Sequence, residues 1–113
     1  MNKIFSEEKN ELIFTLSGEL DQYAVAELKE HIDFKIQTSK KRNVIINLKS
    51  VEMMDSSGIG LIVGRYKLTT SLGGKFAICN PNENIKRILL LSGITKVIKC
   101  CETLSEAKKS FIE

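Results

Sequence analysis

The stretch MMDSSGIG at residues 53–60 holds the side chains best placed to do chemistry: Asp55, two adjacent hydroxyls at Ser56 and Ser57, then Gly58 and Gly60. A nucleophilic serine needs a general base, but DSSGIG does not match G-x-S-x-G and His31 is the only histidine. The glycines in GIGLIVGRYK form neither G-x-x-x-x-G-K-[ST] nor G-x-G-x-x-G, so a phosphate cradle is not expected either. What remains is a helix start. A serine at the N-cap can accept a free N–H of the first turn, and Asp55 beside it suits the positive end of the helix dipole. One serine and the aspartate are thereby explained, and the second hydroxyl is left over. Gly58 and Gly60 weaken a helix, and the bare backbone they supply lets another surface approach closely.

The other reactive groups point to no site. Cys79, Cys100 and Cys101 are an odd number with no C-x-x-C spacing, so reduced structural thiols are expected, and a zinc site is not. Lys40, Lys41 and Arg42 read as a solvated loop ahead of a strand. The net charge of +3, with no arginine-rich or aromatic stripe, gives no reason to expect nucleic acid as a partner.

The elements that must position the serines follow from periodicity. IFSEEK and ELIFTLSG flank a polar turn at Lys9 and Asn10 and suggest a hairpin. Val25, Leu28, Ile32 and Ile36 recur at three and four and mark one face of a helix from Gln22 to about Ser39. His31 lies beside that stripe in a structural or surface role. VIINL at 44–48 is continuous and β-branched, as in a strand covered on both sides, and should form the centre of the sheet. A helix starts near Ser57 and ends before Gly73 and Gly74, and KFAIC at 75–79 forms the next strand; that order implies a parallel pair with a right-handed crossover. Pro81 and Asn82 open a helix carrying Ile85, Ile88 and Leu89 that stops at Ser92 and Gly93. Lys96 to Cys100 suggest a short edge strand, and Thr103 caps a last helix with Leu104, Ala107 and Phe111 on one side. On the wheel of the helix after the serines, Ile59, Ile62, Val63 and Tyr66 form the stripe expected on the sheet. Leu61, Gly64 and Leu68 face the other way, as an apolar contact surface or as further core burial.

The pattern β-β-α-β-α-β-α-β-α over 113 residues predicts an α/β sandwich: one domain, 1–113, with a mixed, mostly parallel sheet of four to five strands and about four helices. No apolar run approaches the roughly 20 residues of a membrane helix, and the charged start MNKIFSEEKNE lacks a signal-peptide core, so a soluble cytoplasmic protein with no membrane partner is expected.

MDSSGIGLIVGRYK at 54–67 resembles the signature of STAS-domain anti-sigma factor antagonists. SGELDQYAVAELK at 17–29, NVIINLKSVEMMDSSG and SGITKVIKCCETLSEA at 92–107 extend the resemblance over nearly the whole chain. GRYK at 64–67 is most similar to the sporulation branch, although Gln22 and Tyr23 stand where its close members tend to carry histidines. The resemblance implies a binding protein, not an enzyme, with no cofactor of its own. Unphosphorylated, it would bind an anti-sigma factor that is also a serine kinase, with ATP or ADP, and so free the sigma factor. The kinase would modify Ser56, with Ser57 as runner-up, and a PP2C-type phosphatase with a divalent metal would reverse this. Implied partner contacts are Glu19, Asp21, Asp55, Ser57, Gly58, Ile59, Leu61, Gly64, Arg65 and Leu68. Two other readings share the pattern: an antagonist in a general-stress partner-switching pathway, and a STAS module that binds a small ligand or nucleotide.

Overall fold

The computed structural model describes residues 3–8 and 10–112. Ten-residue β2 (Glu11–Leu20) pairs antiparallel with β1 (Lys3–Glu7); Lys9, in the predicted turn between them, lies outside the described residues. After α1 (Gln22–Thr38) the chain enters β3 (Asn43–Met54), then α2 (Ser56–Ser71), β4 (Phe76–Cys79), α3 (Glu83–Ser92), a 3-10 turn at Ile94–Lys96, β5 (Lys99–Cys101) and α4 (Leu104–Ser110). The sheet order is β1-β2-β3-β4-β5, with β2 to β5 mutually parallel, so β3 is the central strand, as its continuous apolar run requires.

Strands follow one another across the sheet, and right-handed crossovers therefore put α1, α2 and α3 on one face. There Leu12, Phe14, Val44, Ile46 and Ile78 of the strands meet Leu28 and Ile32 of α1, Leu61 and Ile62 of α2, and Ile85 and Leu89 of α3. The opposite face is covered by α4, where Ala107 packs on Ile13, Ile45, Ala77, Cys79 and Cys101. The three cysteines are free thiols.

Most predicted boundaries hold within a residue or two; β3 is the exception, running well past VIINL to Met54 because its second half pairs with residues 17–20 of β2, and the other departures have local causes. In α1 the buried stripe is Ala24, Leu28, Ile32 and Ile36, with Val25 half-buried at its edge and His31 exposed. The last strand starts at Lys99 rather than Lys96, because Gly93, at φ +83°, ends α3 and leads straight into the 3-10 turn. Thr103 caps α4 by accepting the Glu106 N–H at 3.1 Å, and Asn82 caps α3 by accepting the Ile85 N–H at 2.8 Å. The basic run has a structural use: Arg42 Nη1 donates to the Ser39 carbonyl, at the end of α1, at 3.0 Å. That is where a cation suits the helix dipole.

Candidate functional site

Parallel strands β2 and β3 end side by side, with Glu19 opposite Met53 and Leu20 opposite Met54. Two register shifts, at Thr15/Ser17 and Gly18/Glu19, set the geometry of this end, and Gly18 has φ +81°. Each strand then turns into a helix capped by an aspartate. Asp21 Oδ1 accepts the N–H groups of Tyr23 (3.1 Å) and Ala24 (2.9 Å), while Asp55 Oδ1 accepts the Ser57 N–H at 2.8 Å. The loops enclose a shallow recess of about 130 Å³ lined by Glu19, Leu20, Asp21, Met53, Met54 and Asp55. Three carboxylates thus gather at the carboxyl ends of two adjacent strands, beside the start of α2.

The predicted serine cap is corrected here. Asp55 is the N-cap, α2 begins at Ser56, and both serines are inside its first turn. Aspartate wins because its carboxylate both accepts the orphan N–H and favours the dipole. Asp55 also uses its carbonyl, which accepts from Gly58 N–H (3.0 Å) and Ile59 N–H (3.4 Å). Neither hydroxyl is therefore needed for capping. Ser56 is exposed and Ser57 half-buried.

The wheel of α2 is also corrected. Its buried face is Gly58, Leu61, Ile62, Arg65 and Thr69, with Leu61 only 2% exposed, so Leu61 is a core residue and not an outward contact. Ile59, Val63, Tyr66, Gly64 and Leu68 are half-buried on its flanks. Arg65 is buried against α1, with Nε 2.7 Å from Asp33 Oδ1. The glycines divide by role. A Cβ on Gly58 would lie 2.8 Å from Met54 Cβ and 3.2 Å from Leu20 Cβ, so this glycine lets the helix start close against the strand ends. Gly60 and Gly64 face open space. With Gln22, Val25, Lys29 and Ser57 they line a groove of about 420 Å³ between α1 and α2, whose floor is Leu61.

The structure thus brings Glu19, Asp21, Asp55, Ser56 and Gly58 together at one end, with Gly64 further along α2. Two residues that periodicity did not single out flank them. Met53, 52% exposed, lines the acidic recess, and Tyr23, 77% exposed, is in the first turn of α1. An apolar residue at the end of the central strand is the only sequence signal for Met53, and Tyr23, off the apolar stripe of α1, has none from periodicity.

Residues 3–107 match a family model described as the STAS domain. An anti-sigma F factor antagonist of Paenibacillus polymyxa is 40% identical over 87 residues, 77% of this chain and 74% of that protein. The structure of the anti-sigma factor antagonist SpoIIAA in its unphosphorylated form is similar with a TM-score of 0.81 at 26% identity, covering 96% of this chain and 94% of that one. Bacillus SpoIIAA in the phosphorylated form gives 0.73 at 26% identity, covering 96% and 97%.

Proposed function

The chain belongs to the STAS domain family and, within it, to the anti-sigma factor antagonists, and from that premise we propose a binding protein switched by phosphorylation at Ser56. Acting as one domain over residues 1–113, its unphosphorylated form binds an anti-sigma factor that is also a serine kinase, with ATP or ADP bound. It thereby frees a sporulation sigma factor. The kinase phosphorylates Ser56, a PP2C-type phosphatase restores it, and the exchange takes place in the cytoplasm.

The observation that carries this reading is the Ser56 hydroxyl: exposed in the first turn of α2, and relieved of capping by Asp55. Ser57 is the weaker candidate because it is half-buried. That SpoIIAA exists in phosphorylated and unphosphorylated forms supports a switch of this kind. The partner is read as contacting Glu19, Asp21, Asp55, Ser57, Ile59, Gly64 and Leu68, while buried Leu61 and Arg65 hold the groove in shape and buried Gly58 seats the helix start against the strand ends. A phosphate adds about −1.5 to −2 charges. Beside the Glu19, Asp21 and Asp55 carboxylates, a docked partner would have to bury that charge uncompensated, at a cost of several kcal/mol and hence about 100-fold or more in affinity.

Mass spectrometry after incubation with the cognate kinase and ATP should place one phosphate on Ser56. In calorimetry with ADP present, Ser56→Asp should bind the kinase about 100-fold more weakly, and Ser56→Ala should bind but resist modification. A phosphate located elsewhere, or equal affinity for Ser56→Asp and the unmodified chain, overturns the reading.

A further inference from the structure

A second surface, away from the Ser56 end, carries chemistry of its own. Residues 56–101 contain one acidic residue, Glu83, against seven basic ones. Three of those cations are already committed, Arg65 to Asp33, Lys86 to Glu102, and Lys75, whose Nζ donates to the Phe111 carbonyl. Within this segment α2 meets the corner between α3 and the 3-10 turn, leaving a groove of about 300 Å³. Its walls are Val63, Tyr66, Ile94, Val97 and Ile98, with Lys67 among the lining residues. Lys96, exposed, stands between two of the wall residues. Val97 is 66% exposed, and Leu90 and Leu91, in the turn of α3 that leads into the groove, are 61% and 82% exposed. Large aliphatic side chains grouped in this way on a rim of cations mark a contact surface. The segments that build it, residues 56–71 and 84–98, contain no acidic residue at all.

We propose that this groove docks an acidic amphipathic segment of a protein partner. An apolar side chain of the partner fills the recess, and its carboxylates meet Lys67 and Lys96. The charge selects this occupant. Two copies related by a two-fold axis would set basic surface on basic surface. The recess selects a protruding side chain over the flat face of a bilayer. The surface is separate from the acidic Ser56 end, so it can be engaged whatever the state of that serine.

The test uses the full chain, isotope-labelled for amide NMR, and a synthetic amphipathic helix of about four turns with Leu and Phe at i, i+3 and i+4 and Glu at the other positions. Shifts should concentrate at Val63, Tyr66, Gly93, Ile94 and Val97. Binding should weaken about tenfold or more in Val97→Asp and in the double variant Lys67→Glu with Lys96→Glu, and should fall with added salt. All three positions are exposed, and retained amide dispersion confirms the fold of each variant. The proposal is overturned if no shifts appear, or if a peptide with Lys in place of Glu binds equally. It is likewise overturned if the same residues shift when the protein alone is concentrated, which would identify a second copy. Co-sedimentation with phosphatidylserine vesicles that is lost in the same variants, with the peptide silent, would identify a membrane instead.

Discussion

Replacing each of three glycines of α2 by alanine should produce effects of opposite sign. In a helix interior Gly→Ala gains about 1 kcal/mol, and less in the first turn. At Gly60 and Gly64 an added Cβ would meet nothing within 4 Å, so each substitution should deliver most of that gain. Gly58 sits in the first turn, where the gain is small, and its Cβ would fall 2.8 Å from Met54 Cβ, 3.2 Å from Met54 Sδ and 3.2 Å from Leu20 Cβ. The sulfur can swing aside. The two Cβ atoms cannot, because they are fixed to the backbones of β3 and β2, so the start of α2 must move. Overpacking of this kind costs about 1–3 kcal/mol, which leaves Gly58→Ala less stable than the parent by about 1–2 kcal/mol. Urea unfolding followed by far-UV circular dichroism should therefore place the Gly58→Ala midpoint below the parent and the other two above it, with unchanged slopes. A Gly58→Ala midpoint at or above the parent would refute the close approach of α2 to the strand ends.

Leu61→Asp should abolish the fold, because it sets a carboxylate in a site 2% exposed between α2 and the sheet, at a cost above about 4 kcal/mol; a cooperative unfolding transition and native-like amide dispersion in this variant would show that Leu61 is not core. Cys79 should be the slowest thiol to alkylate, since burial pushes it up to about 12 from 9.0. Because the folded state holds that proton more tightly than the unfolded one, its contribution is fully present below pH 9.0 and is lost as pH rises from there towards about 12. Iodoacetamide labelling resolved by mass spectrometry should modify half-buried Cys100 first and reach Cys79 only on unfolding, and equal rates would contradict the assignment.

How much of this was legible in sequence depended on whether one periodic signal dominated. VIINL is β-branched and continuous, so β3 could be placed at the sheet centre. Helix α3 carries its own punctuation, with Asn82 before it and Gly93 after it. Helix α2 offers no such contrast: Ile59, Leu61, Ile62, Val63, Tyr66 and Leu68 are spread around much of its circumference. The face that wins is chosen by tertiary contacts, where Gly58 allows closest approach and Arg65 finds Asp33 on α1. Those contacts have no signature in spacing along the chain. The same holds for the acidic cluster. Glu19 and Asp21 lie more than 30 residues from Asp55, and only the parallel pairing of β2 with β3 joins them. Three-residue β5 is too short for any alternation to announce its start.

The correction at Asp55 changes what a phosphate on Ser56 would meet. An empty helix start would neutralise an anion through free N–H groups and the dipole. Here those donors are largely taken: the Asp55 carboxylate holds the Ser57 N–H, and its carbonyl holds those of Gly58 and Ile59. A phosphate added next to Asp55 therefore gains little from the helix and faces like charge from the cap itself, with Glu19 and Asp21 across the recess. It should project outward as uncompensated charge and not fold back onto the domain. The aspartate and the exposed serine then divide the work under the proposed switch: the Asp55 carboxylate builds the helix start, and Ser56 is left as the group whose charge state could change at little cost to the fold. What makes the position a poor anion site within the molecule is what would make the proposed modification strongly felt by a surface docked against it.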